Sequence, residues 1–174
     1  MKTLVPLELH SPRLLLRQFR EDDWLALHQY YVDEIATRFT VGHAFSVGET
    51  WRTLSSIIAH WAKHGYGPYA LETKHSAKLI GTAGFWYPND FPGPEIKWSL
   101  LREYWGQGYA SEAARAVQQC GLAYLPDIAL MSMIHPDNAN SIKVALAIGA
   151  KFEKSYNFRE MELHLYRHPP QSGL

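Results

Sequence analysis

The chain has 174 residues, 47% of them apolar and 13% aromatic, which suits one ordinary globular domain and is too apolar for a disordered chain. Seventeen basic residues balance seventeen acidic ones, so no overall field attracts nucleic acid or an anionic membrane. A single cysteine, Cys120, excludes an intrachain disulfide and a thiolate-rich zinc site. No apolar run approaches the ~18 residues that cross a bilayer, and the opening Met1-Lys2-Thr3-Leu4-Val5-Pro6 lacks the apolar core of a signal peptide. The expectation is one cytoplasmic domain over residues 1–174, with neither nucleic acid nor membrane as partner.

Arg13-Leu14-Leu15-Leu16-Arg17-Gln18-Phe19 is an apolar strand that follows the breaker pair Ser11-Pro12. Asp22 or Asp23 caps a short helix in which Trp24, Leu27 and Tyr31 recur at helical spacing. Ser46-Val47-Gly48-Glu49 has the form of a capping box, and behind it Trp51, Leu54, Ile58 and Trp61 make an apolar stripe that stops at Gly65. Both tryptophans are expected in the core. His60 and His64 stand i, i+4 on this helix, but the intervening Trp61-Ala62-Lys63 lacks the glutamate of a zinc-protease motif, so no metal is expected.

Residues 68–74 and 79–87 read as a hairpin around His75-Ser76-Ala77-Lys78, and residues 88–94 are too rich in proline for a regular element. Residues 95–101 alternate as a strand. Residues 112–124 form an alanine-rich helix that buries Cys120, residues 128–134 a buried strand, and residues 138–148 a helix closed by Gly149. Two last strands lie in residues 151–167, with Met161, Leu163 and Leu165 on one face. The sum is an α+β, three-layer α/β/α fold with a mixed, mostly antiparallel central sheet of about six to seven strands and about four helices.

The segment that carries chemistry is Tyr104-Trp105-Gly106-Gln107-Gly108-Tyr109-Ala110-Ser111-Glu112-Ala113. It lies where a strand ends and a helix begins, so its backbone N–H groups can converge on an anion while the helix dipole favours negative charge. Alone, a Gly-x-Gly is also a plain turn. The nucleoside triphosphate loop needs Gly-Lys-Ser/Thr, which is absent, and a dinucleotide fingerprint needs a third glycine where Ser111 stands, in a loop that opens a parallel sheet.

The same residues resemble the coenzyme A loop of the GNAT acetyltransferase superfamily, in particular its ribosomal-protein N-acetyltransferase branch. Gly108 and Ala110 fill the last two fixed places of the superfamily pattern Arg/Gln-x-x-Gly-x-Gly/Ala, while Trp105 departs from its first place and matches the branch's Tyr-Trp-Gly-Gln-Gly-Tyr-Ala form. The resemblance runs from Ser11-Pro12-Arg13 to Glu162-Leu163-His164-Leu165-Tyr166-Arg167, and His135-Pro136-Asp137-Asn138-Ala139-Asn140-Ser141 is similar to the family's second cofactor motif. Asn138 and Ser141 are equally a plain helix cap by spacing alone.

The resemblance implies an acetyl-CoA-dependent N-acetyltransferase with the GNAT fold and no metal. By it Ser99, Leu100, Leu101, Trp105, Gly106, Gln107, Gly108, Tyr109, Ala110 and Ser111 bind the cofactor. Asn138 holds the pantetheine arm, Ser141 sits beside the sulfur, and the backbone of residues 99–101 meets the thioester oxygen. Glu95 is the expected base, with Glu160, Glu162 and His164 in reserve. The tyrosine that many members use as acid is replaced by Ala145, which leaves Ser141 as the nearest substitute.

The acceptor, a peptide N-terminus or a small amine, is expected between residues 85–94 and residues 37–45. A homodimer stays open. The alternatives are a non-catalytic acyl-CoA-binding module, motivated by the missing tyrosine, and a dinucleotide-binding reductase, which fits the glycines but not the chain order.

Overall fold

The structure is a computed structural model that describes residues 3–170. Its strands are β1 Glu8–His10, β2 Leu14–Arg17, β3 Pro68–Thr73, β4 Leu79–Trp86, β5 Glu95–Leu100, β6 Met131–Ile134, β7 Lys151–Phe158 and β8 Met161–Arg167. They form one eight-stranded sheet in the order β1-β2-β3-β4-β5-β6-β8-β7. Neighbours are antiparallel except β5 and β6, which run parallel and share one register point, Glu95 opposite Met131. The helices are α1 Trp24–Tyr31, α2 Glu34–Thr37, α3 Val47–His64, α4 Tyr109–Tyr124 and α5 Ala139–Ala147. Helix α1 packs on α3 and β4, and α4 lies across β4 and β5.

The α+β class is as expected, with one more strand and one more helix than the sequence pattern shows. Strand β1 has three residues with mostly exposed side chains, and α2 is a single turn whose cap, Asp33, accepts from the Ile35 and Ala36 N–H groups at 3.0 and 3.2 Å. Neither is long enough for periodicity to register.

Helix α3 starts on the expected box: Ser46 Oγ accepts from Glu49 N–H at 3.3 Å, and Glu49 Oε2 accepts from Ser46 N–H at 2.8 Å. It ends at Gly65 with φ 71°. Its buried stripe is Thr50, Leu54, Ile57 and Trp61, one residue out of phase with part of the expected one. Each residue turns the helix by ~100°, so Trp51 and Ile58 fall on the flank, 37% and 41% exposed. Trp51 stacks instead on Trp24, with ring centroids 5.4 Å apart. Trp61 is a core residue whose Nε1–H donates to the Pro68 carbonyl at 2.8 Å. Cys120 is buried, as are Leu163 and Leu165; Met161, at the hairpin end, is 42% exposed.

Two buried histidines couple this core to pH. The His60 Nδ1–H donates to the Tyr66 carbonyl at 2.9 Å and its Nε2 accepts from Tyr87 N–H at 3.0 Å, which requires a neutral ring; burial pushes its pKa down to about 4. The His168 Nδ1 accepts from Gln118 Nε2–H at 3.0 Å, and burial lowers this ring also to about 4. Between pH 6.5 and about 4 only the unfolded chain binds these protons. Their stabilisation, full above 6.5, is therefore lost as pH falls, at up to about 1.4 kcal/mol per pH unit for each ring.

Glu95 has the opposite sign. Burial raises it to about 7, so the folded state holds its proton between pH 4.5 and 7, where the unfolded chain does not. One histidine is thus offset. Burial also lowers His64, so urea unfolding is expected to show stability falling between pH 6.5 and 4.5, and falling more steeply in Glu95→Gln.

Candidate active site

The site begins where β5 and β6 part. Leu101 N–H donates to the Ile80 carbonyl at 2.9 Å, and antiparallel alternation therefore turns the main-chain groups of Lys97 and Ser99 toward β4 and those of Trp98 and Leu100 toward the gap. The Leu100 carbonyl is taken by Trp105 Nε1–H at 3.0 Å. This leaves the Trp98 N–H and C=O and the Leu100 N–H facing the opening.

A side-chain network replaces the missing ladder just beyond the Glu95–Met131 point. Ser132 Oγ–H on β6 donates to the Ile96 carbonyl at 2.6 Å and accepts from His168 Nε2–H at 2.9 Å, while Gln118 Nε2 on α4 donates to His168 and to the Ile148 carbonyl. Among the described residues no buried side-chain nitrogen or oxygen lacks a partner. A satisfied polar wedge of this kind holds the strands apart without leaving an orphaned group.

A cavity of ≈ 570 Å³, larger than the one that adjoins it, opens between this gap, the N-terminus of α4 and α5. Gly106 and Gly108 have φ of 72° and 81°, which a side chain would strain, and Gly108 starts α4 from the left-handed region. That start puts α4 three residues earlier than the sequence pattern suggests. Among the described residues none of the amides of residues 106–111 donates to a protein acceptor, so a row of N–H groups lies at the positive end of a 16-residue helix.

Arg13 fixes the loop. Its Nη1–H donates to the Gln107 carbonyl at 3.0 Å, its Nε–H to Glu112 at 2.7 Å, and its guanidinium lies 4.2 Å from the Tyr109 ring centroid. Against the cost of burial, the Ser11 hydroxyl and Arg13 hold the Glu112 carboxyl below the usual carboxylate range. Arg38, over the Phe39 ring, is the cation that lines this cavity.

Asn138 caps α5, its Oδ1 accepting from Ser141 N–H at 3.2 Å; its Nδ2 has no acceptor among the described residues and the residue lines both cavities. Cap and ligand are thus compatible uses of one side chain. Ala145 is fully buried in a cluster with Ile134, Ala150 and Tyr166. Ser141 and Val144 face the larger cavity instead, so a tyrosine at residue 145 would point into the core.

The smaller cavity, ≈ 330 Å³, shares Trp98, Ser99, Asn138 and Ser141 with the larger one and has aromatic walls of Tyr31, Trp86, Phe91 and Phe158. Glu95 is its only lining carboxylate among the described residues, 8% exposed, with Met133 N–H at 3.4 Å. Burial raises its pKa to about 7 against the pull of Lys97. His135 also lines it, stacked on Phe39 with its Nδ1 accepting from Asp137 N–H at 3.1 Å, which leaves the proton of the neutral ring on Nε2.

Residues 13–151 match the acetyltransferase (GNAT) domain family. The chain belongs to that family. This acetyltransferase is 28% identical over 156 residues to an uncharacterized N-acetyltransferase, p20, of Bacillus licheniformis, covering 88% of the chain and 86% of p20. It superposes on an acetyltransferase from Agrobacterium tumefaciens with TM-score 0.84, 27% identity and 95% coverage of both chains. The fold is shared, at TM-score 0.77 and 21% identity over 95% of this chain and 97% of the other, with RimL, a ribosomal L7/L12 α-N-protein acetyltransferase solved with coenzyme A.

Of the residues that the resemblance assigns to the cofactor of this acetyltransferase, Ser99, Leu100, Trp105, Gly106, Gly108, Tyr109, Ala110, Ser111, Asn138 and Ser141 line the larger cavity. Two do not. The Leu101 N–H is spent on Ile80, and Gln107 turns its side chain back to the Glu103 carbonyl at 2.8 Å. The reserve bases lie elsewhere: Glu162 accepts from Ser155 Oγ at 3.1 Å, His164 packs on Phe152, and Glu160 sits in the β7–β8 turn.

Residues 85–94 and 37–45 do contribute walls, but sequence reasoning missed Tyr31, Phe158, Arg159 and Met161, which the α1 end and the β7–β8 hairpin bring in. Lys97 was findable, since strand alternation puts it on the face of Glu95 and Ser99. Trp98 and Ser132 carried no local signal. Among the described residues no three His, Cys, Asp or Glu cluster as metal ligands, and no helix is long and apolar enough to cross a membrane.

Proposed function

We propose that this acetyltransferase moves an acetyl group from acetyl-CoA to a primary amine by direct attack in a ternary complex. The observation that carries this is the meeting of the two cavities at Trp98, Ser99, Asn138 and Ser141, beside the gap between β5 and β6. The amides of residues 106–111 suit a pyrophosphate, with Arg38 as a nearby cation, and Asn138 Nδ2 suits a pantetheine carbonyl. The Trp98 or Leu100 N–H is the donor for the thioester oxygen, which becomes the oxyanion; one such donor contributes roughly 3 kcal/mol.

Glu95 is the base, in line with a pKa near the working pH. It takes a proton from the acceptor nitrogen, whose lone pair attacks the thioester carbon; the C–S bond then breaks and the thiolate leaves with Ser141 Oγ–H as its hydrogen-bond donor. A thiolate is a good leaving group near neutral pH, so the burial of Ala145 does not stop the reaction. One catalytic domain spans residues 1–174, working in the cytoplasm. Because the neighbour RimL is named for acetylating a ribosomal protein, protein N-termini are the first acceptors to try, ahead of small amines.

Millimolar acetyl-CoA is expected to raise the Tm by several degrees through mass action, and free thiol to appear with at least one amine from a panel of peptides, polyamines and amino sugars. An absent Tm shift would refute the proposal. A shift with no thiol released from any amine would make the chain a binding module.

A further inference from the structure

The smaller cavity contains a lysine that forms no ion pair among the described residues, with Glu95 acting on it only across a distance. Lys97 lines this cavity and not the larger one, so it does not face the space assigned to the phosphates. Its Nζ lies 5.3 Å from the Trp86 ring centroid, and among the described residues it forms no ion pair and donates no hydrogen bond. Other cations nearby are accounted for: Arg159 Nε–H is bonded to Asp90 at 2.9 Å, and Arg38 lines the larger cavity. Glu95, on the same strand face, stays outside ion-pair distance. Lys97 is half-buried; burial lowers its pKa, and the nearby Glu95 carboxylate offsets part of that effect.

Resting on the acetyl-transfer reading above, we propose that Lys97 anchors a carboxylate and that the acceptor is a primary amine carrying a carboxylate a few bonds from its nitrogen. The acceptor nitrogen lies against Glu95 and its carboxylate against Lys97, so the charges alternate across the pair. Residues i and i+2 of a strand are roughly 7 Å apart, which sets the span between amine and carboxylate. A volume of ≈ 330 Å³ is at the small end for a ligand cavity and suits one amino-acid-sized group between the aromatic walls. The same lysine opposes polyamines, whose second cation would be held beside it.

Two sources present this chemistry: a free amino acid, and a peptide whose first residue is Asp or Glu. The test is free-thiol release by the full chain with acetyl-CoA and matched acceptors. One series is amino acids against their carboxamides; the other is Asp-Ala-Ala amide against Asn-Ala-Ala amide. In at least one series kcat/KM is expected to favour the acid tenfold or more, and the series that responds identifies the source. Lys97→Met should bring that ratio close to one through KM, and Lys97→Arg should restore it.

Equal use of acid and amide in both series, a polyamine used better than any acid, or a preference that survives Lys97→Met would each overturn the proposal. A pH profile displaced alike for acid and amide, with the preference intact, would make Lys97 only a neighbour that tunes Glu95. If no acceptor releases thiol while acetyl-CoA still raises the Tm, the anchor falls and cofactor binding stands. If acetyl-CoA leaves the Tm unchanged, both fall.

Discussion

Glu95→Gln is expected to reduce kcat by roughly 10²- to 10⁴-fold, the usual worth of a positioned general base. The carboxyl works only when ionised, and burial raises its pKa to about 7, so wild-type kcat/KM should climb with pH through about 7 and then level off. The variant should lack that limb. Because Glu95 lines the smaller cavity alone, the acetyl-CoA-induced Tm shift should persist in the variant, which separates a lost base from a lost fold. Wild-type turnover with the same limb in Glu95→Gln would mean that Glu95 is not the base.

Gly108→Val should abolish the acetyl-CoA-induced Tm shift. Its φ of +81° lies where an L-residue is strained by about 1–2 kcal/mol, and most for a β-branched one. A Cβ there would stand 3.4 Å from Arg13 Nη2, so the new methyl groups meet the guanidinium that ties the loop to Glu112. The amide row of residues 106–111 then loses both its start and its clamp, and the expected loss of affinity is on the order of 100-fold or more. Circular dichroism should show a folded variant. An unchanged Tm shift would mean that this loop is not where acetyl-CoA binds.

These two residues were legible in the sequence for different reasons. Gly108 belongs to a strand–loop–helix junction whose chemistry is local: a positive φ, free amides and a helix end are properties of a few consecutive residues, as are the Ser46 box and the Gly65 cap of α3. Glu95 was placed by resemblance, and its strand alternation was clear, but nothing nearby in the sequence shows that it is buried. Its proton affinity comes from burial in a cavity assembled from α1, β4, β6 and the β7–β8 hairpin, against the pull of Lys97 and of the Met133 N–H.

Where expectation and structure part, the distance along the chain explains it. The helical spacing of Trp51 and Ile58 predicts core positions, but which flank of α3 is covered depends on where α1 and the sheet lie. The Leu101 N–H and the Gln107 side chain turn from the larger cavity, because Ile80 and Glu103 claim them.

The strands and helices long enough to show a period, the caps of α3 and α5, and the glycine loop with Asn138 and Ser141 are legible in the sequence, since backbone conformation is settled over a few residues; the expected aspartate cap of α1 is not formed, because Arg17 takes Asp23. Tertiary contacts alone settle that β5 and β6 part after one shared point, that Ser132, His168 and Gln118 wedge them, and that Lys97 stands in the smaller cavity with no ion pair among the described residues. Register between distant strands and the loss of water around a charge depend on groups tens of residues away, and no local pattern encodes them.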